Sequence, residues 1–233
     1  MADRPIIFSA PMVRALRAGR KTQTRRLLRN VPPAPSDENL VHEPKHEHAY
    51  FDAYCGAKKT AANPRGMTED WCWWTRDDRC GHGCKVRYVP GDRLYVREAW
   101  LTWGIFDDLK PSLLTGNEGI TYLADATHSE PLPGRRRASM HMPRWASRLT
   151  LIVEDVRVER LQAISEADAV AEGMSEPSLR QLGGDLAQAA WSERQVFQRL
   201  WNHLHGAESW DANPWVVALT FSVQHGNIDR LAA

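Results

Sequence analysis

The run at residues 147–161, SRLTLIVEDVRVERL, constrains this chain more than any other segment. Leu149, Leu151 and Val153 alternate with polar neighbours, so one face of a long strand is apolar and must be covered. The alternation slips near Glu154 and Asp155, which predicts a β-bulge there. Other strand signals lie on either side. Pro5 to Phe8 is a short apolar strand, PGDRLYVREAW opens on turn chemistry and alternates through Leu94 and Val96, and GITYLAD and NPWVVALTFSV read the same way.

Helices are few. Ser9 stands where a helix N-cap would, Pro11 occupies the first turn, Met12, Val13 and Leu16 form the inner stripe, and Gly19 ends the segment. Residues 165–172 carry a Ser165/Asp168 capping box closed by Gly173. A last helix spans about 189–205, with Phe197, Leu200, Trp201 and Leu204 on one side. Residues 107–118 and 127–140 read as loops. The expected fold class is therefore α+β: a small β-barrel or curled sheet with flanking helices, in one domain over residues 1–233.

Residues 30–88 break this texture with prolines, histidines (HEPKHEH) and the aromatic knot WCWW. A structureless loop of that length is unusual in a compact domain, so it is expected to be an insertion tethered by a metal or aromatic cluster, or a lid. No signal-peptide pattern and no run of roughly 18 apolar residues occurs, so no membrane contact and a cytoplasmic location are expected. The four cysteines are accordingly read as thiols or metal ligands rather than disulfides. Cys80, His82 and Cys84 in CGHGC, with Cys72 upstream, suggest structural zinc, although the spacing is not that of common zinc knuckles. The complete histidine-x-glutamate and proline-cysteine-x-x-cysteine signature of a catalytic zinc deaminase is absent, which weighs against that reading.

A net charge of +1 excludes a uniformly basic nucleic-acid arm. Contact with RNA or DNA would have to come from local patches: Arg25, Arg26 and Arg29; Arg135 to Arg137; and Arg144 with Arg148. The first patch belongs to the segment GRKTQTRR at residues 19–26, which by its spacing alone is a basic bend.

Taken together, GRKTQTRR after a short helix, GDRLYVREAW, HMPRWASR running into a strand, DVRVERLQ.IS..DA.AEG and the terminal SWDANPWV…LTF resemble the ASCH family of PUA-like β-barrels, especially its long phage- and prophage-type members. The resemblance covers residues 4–29 and 89–222 and leaves 30–88 unexplained. It implies a cleft for a nucleotide or nucleobase. Some small bacterial members are amidohydrolases that deacylate the exocyclic amine of acetylated cytidine, using a lysine and a threonine of GRKTxTxR and a glutamate of the later helix. On this chain those positions are Lys21, Thr24 and Glu172. No cofactor is implied for that chemistry. Other members are proposed as RNA binders or ribonucleases, so the family does not fix the activity.

Amide hydrolysis needs a nucleophile, a base and a positive group for the oxyanion. Lys21 can serve as base for Thr24 if burial lowers its pKa, or it can stay charged while Glu172 activates water. On a plain strand, positions 21 and 24 face opposite ways, so either scheme requires a bend between them. Arg25, Arg26, Arg144 and Glu98 are expected to line the substrate cleft, with Trp100 and Trp145 stacking a base. The bland readings are core tryptophans and a local Arg97–Glu98 pair. Three functions result: an amidohydrolase on acylated cytidine-like nucleosides, a non-catalytic binding module for modified or structured RNA or DNA, and a ribonuclease.

Overall fold

The computed structural model describes residues 2–36, 40–125, 134–175 and 191–231. Its elements are β1 (Asp3–Ile7), α1 (Ala10–Arg17), β2 (Gln23–Leu27), β3 (Tyr50–Ala53), β4 (Asp70–Trp74), β5 (Cys80–Lys85), β6 (Arg93–Arg97), β7 (Trp100–Leu101), β8 (Thr121–Tyr122), β9 (Leu149–Arg160), α2 (Glu166–Ala171), α3 (Glu193–His205) and β10 (Trp215–His225). The fold is mixed α+β, with sheet dominant.

The main sheet has the order β1-β6-β9-β10-β2, with β1 and β6 parallel and the other neighbours antiparallel. Among the described residues no ladder joins β1 to β2, so the strands form an open order rather than the closed ring of a barrel. The two edges meet through a side chain: Arg26 of β2 donates from Nη2 to the Ile7 carbonyl at 2.7 Å.

The slip in the long strand is a bulge. Thr220 of β10 faces Asp155 and Phe221 faces Val153, so the register steps over Glu154. That extra residue is why Leu149, Leu151 and Val153 are buried before it and Val156 after it, all on the same core. Without it, the second half of β9 would turn its apolar residues outward.

Ser9 does sit at the N-cap of α1, but its side chain makes no capping bond. Both other helices carry reciprocal capping boxes, Ser165 with Asp168 and Ser192 with Gln195. α3 begins at Glu193, and residues 189 and 190 lie outside the described residues. Phe197, Leu200 and Trp201 pack with Leu161, Met174 and Trp210 in a second core beside the sheet. GITYLAD yields only the two residues of β8, paired with β7.

Residues 30–88 build a three-stranded sheet, β3-β4-β5. Its aromatic knot anchors it: Trp71 is 3% exposed within the main core, while Phe51 and Trp73 pack on Trp215 at ring separations of 5.9 and 6.0 Å. The Trp73 indole donates to the Pro32 carbonyl at 2.8 Å. Cys72 and Cys80 are joined in a disulfide, which corrects the expectation that all four cysteines are thiols or metal ligands. Cross-strand pairing of Cys80 with Trp74 places both sulfurs on one face of the ribbon. With that bond formed, only His82 and Cys84 of the expected zinc set keep free donors, and no group of three or more candidate ligands occurs among the described residues. No helix among the described residues is long and apolar enough to cross a membrane.

Candidate active site

The chain turns immediately before Lys21, ahead of β2. Gly19 takes φ +69°, and the amides of Arg20 and Lys21 both donate to the Ala15 carbonyl, turning the chain back on the end of α1. The Thr22 amide then donates to the Ala171 carbonyl of α2 at 2.8 Å. Lys21 therefore points into the protein ahead of the strand, free of strand alternation, and is 0% exposed.

Its Nζ donates to the Glu172 carboxylate at 2.7 Å and to the Glu172 carbonyl at 2.8 Å. Glu172 caps the C-terminal end of α2, where a lone carboxylate is disfavoured; Lys21 and Arg25 offset this from two sides, Arg25 at 3.3 Å. Burial pushes the Lys21 pKa down, opposed by its bonds to Glu172. Gly173 makes room for this pair. It has φ +91°, and a Cβ there would stand 3.2 Å from Ala15 Cβ and 3.3 Å from Lys21 Cβ. Gly173→Ala is expected to destabilise the fold by about 1–3 kcal/mol in urea unfolding; an unchanged midpoint would show that Lys21 does not depend on this close approach.

Arg25 is committed to the fold. It donates to Glu159 from Nε and Nη2 at 3.0 and 2.7 Å, reaches Gln23 and Glu172 at 3.3 Å each, and lies 3.3 Å from Asp168. Asp168 is pulled to about 2: burial raises it, but bonds from Ser165 and Arg157 and the charge of Arg25 outweigh burial. Arg25 is thus a clamp between β2, β9 and α2, with few donors left for a ligand.

Thr24 and Arg26 differ from it. The Thr24 side chain makes no hydrogen bond among the described residues, although the residue is 3% exposed. Arg26 has no carboxylate partner there; only Nη2 is bonded, and its buried Nε is unsatisfied. Its guanidinium lies 5.1 Å from the centre of the Phe8 ring. Burial pushes its pKa down. Being alternate residues of β2, Thr24 and Arg26 share a face.

Thr24 and Arg26, with Arg25 and Leu27 of the same strand, line a recess of about 80 Å³ together with Glu172 and a wall from α3. The wall is Phe197, Leu200, Trp201, Leu204 and His205. His205 packs on Trp201 at 4.2 Å between ring centres, and burial, then Arg26, lowers its pKa, so the imidazole is neutral near pH 7. Lys21 is not on the wall; it lies behind Glu172. The α3 stripe looks like core in sequence, yet it overruns the core: Leu204 is 54% exposed. That overrun is the signal that would have placed α3 at the site.

The other expected site residues lie elsewhere. Glu98 is 1% exposed and gripped by Arg148 at 2.8 and 2.9 Å rather than paired with Arg97, which donates to the Met140 carbonyl. Trp100 is 0% exposed, packed with Leu114, Met142 and Ala146, so neither ring face can take a base. Arg144 is paired with Asp3 and Asp229, and Trp145 stands at the surface against Gly116. None of these four lines the recess. Comparison of the chain with family models, with curated proteins and with solved structures returns no match.

Proposed function

We propose that the protein is an amidohydrolase of the PUA-like ASCH type that removes acyl groups from the exocyclic amine of cytidine-like nucleosides. The observation that carries this reading is the Thr24 hydroxyl, which makes no hydrogen bond among the described residues, set in one recess with the Lys21-paired carboxylate of Glu172 and with Arg26, which makes no direct ion pair there. Acyl transfer uses a nucleophile and a positive group for the oxyanion, and Thr24 and Arg26 line the same recess.

The pieces divide the work as follows. Burial pushes the Lys21 pKa down, so its neutral amine, held against the Glu172 carboxylate, can accept a proton. Thr24 Oγ1 attacks the acyl carbon while its proton passes to this pair. Arg26 faces the developing oxyanion with the unbonded Nη1 side of its guanidinium. The C–N bond then breaks, the exocyclic amine leaves with a proton returned by the pair, and water hydrolyses the threonyl ester to free acid and hydroxyl. A recess of about 80 Å³ is far below the roughly 300–1,000 Å³ that encloses a drug-sized ligand, so the acyl amide enters and the ribose stays outside.

The test is release of cytidine from N4-acetylcytidine. The wild-type protein is expected to turn over, and Arg26→Gln to lower kcat by about 10²–10³ with KM little changed, as for loss of an oxyanion donor. A wild-type protein without turnover on acylated nucleosides would overturn the reading.

A further inference from the structure

The segment from Trp100 to Trp145 presents a surface that the recess chemistry does not use. It holds Trp103 (52% exposed), Ile105, Leu109, Leu113, Met140 and Trp145, six of the exposed large apolar residues of the protein. Single exposed residues of this kind are normal. Two of them sit on one short turn. Gly119, at φ +66°, lets the Trp103 ring lie against its backbone, where a Cβ would stand 3.4 Å from Cε2. Gly116, at φ +100°, does the same for Trp145 at 3.3 Å from Cζ3. Both rings are thereby held on backbone rather than buried in side chains.

Beside Trp103 runs the arginine triplet. The Gly134 amide donates to the Thr102 carbonyl at 3.0 Å, and the Arg135 amide donates to the Asp107 carboxylate. Arg137 is structural, with its guanidinium on the Leu109 and Phe106 carbonyls. Arg135 and Arg136 are exposed, and their side chains have no partner among the described residues. They line a groove of about 250 Å³ with Pro111, Arg137, Ala138 and His141, with no carboxylate among its described lining residues.

We propose that this face binds single-stranded nucleic acid, with Arg135 and Arg136 on the phosphates and Trp103 stacking a base. A groove lined by exposed arginines is complementary to phosphate, and half-exposed indoles seated on backbone suit the π-face of a base. A duplex offers phosphates but no accessible base faces, so it engages only the arginines. The site is separate from the recess and does not depend on catalysis there.

The test is fluorescence anisotropy of end-labelled oligouridine and oligothymidine of about 12 nucleotides, which separates RNA from DNA as the source, with a duplex of equal length for comparison. Between about 50 and 200 mM salt the intact protein is expected to bind the single strands, tighter than the duplex. Arg135→Ala/Arg136→Ala should reduce the salt slope by about 1.4. Trp103→Ala should weaken binding roughly five- to 150-fold, while Trp103→Phe retains most of it. Circular dichroism melts of each variant establish that the fold survives. Absence of single-strand binding overturns the proposal, as does binding that Trp103→Ala leaves unchanged, or equal affinity for duplex. Failure of nucleoside turnover would leave these results untouched, so the two readings fail separately.

Discussion

Glu172→Ala is expected to lose about 3–5 kcal/mol of folding stability together with all turnover, because it leaves the Lys21 ammonium buried without its carboxylate. Lys21 has no exposed surface on which to rehydrate, and Arg25 loses one of its anchors in the same step. Urea unfolding measures the first effect and cytidine release the second. The double variant Lys21→Met/Glu172→Leu separates them. It removes both charges at similar volume, so stability should return to within about 1–2 kcal/mol of wild type while activity stays absent. A single variant that loses less than about 1 kcal/mol would show that the pair is not desolvated. In wild type, activity should rise with pH along a limb set by Lys21, with a midpoint below the 10.5 of an ordinary lysine. The sign follows from burial: deprotonation creates the proton acceptor, and a lowered pKa brings that form to lower pH.

Thr24→Val is expected to lower kcat by at least about 10³ with stability changed by no more than about 1 kcal/mol. The substitution keeps the branched shape on β2 and deletes only a hydroxyl that makes no hydrogen bond among the described residues. No bonded partner is orphaned, so the usual stability cost of removing a buried hydroxyl does not arise. Thr24→Ser should retain substantial turnover. In the wild-type protein mixed rapidly with substrate, an acyl adduct on the peptide containing Thr24 should be trapped by acid quench and seen by mass spectrometry. Full activity in Thr24→Val would assign the nucleophile to water activated by Glu172 instead. A large loss of stability in that variant would show that Thr24 serves the fold.

Much of the local structure was legible before any coordinates. The phase change near Glu154 announced a bulge, because side-chain alternation has a period of two and a skipped residue is the way to keep Val153 and Val156 on one core. The capping box at Ser165 and the turn glycine at Gly19 are likewise local rules, satisfied within a few residues. Residues 30–88 read as an insertion tethered by a metal or aromatic cluster, or a lid, and Trp71 and Trp73 pack that sheet on the rest of the protein.

What the one-dimensional reading missed depends on distant partners. Arg25 and Arg26 are adjacent and chemically identical, yet the first is consumed by Glu159, Asp168 and Glu172 while the second bonds the Ile7 carbonyl beside the Phe8 ring and makes no direct ion pair among the described residues. Trp100 and Trp103 are three residues apart, and one is sealed in a core while the other stands on a glycine turn. The cysteine spacing fitted a metal ligand set, but pairing of β4 with β5 brought Cys72 and Cys80 together. Helix α3 looked like one more core helix until its last turn reached past the core to wall the recess. The sequence by itself determined strand phase, caps and the inventory of reactive groups, because those follow from the geometry of neighbouring residues. Which lysine is desolvated, which arginine stays unpaired and which hydroxyl stays unbonded was decided only by tertiary structure, since pairing and burial are set by residues about 150 positions away, as Lys21 and Glu172 are.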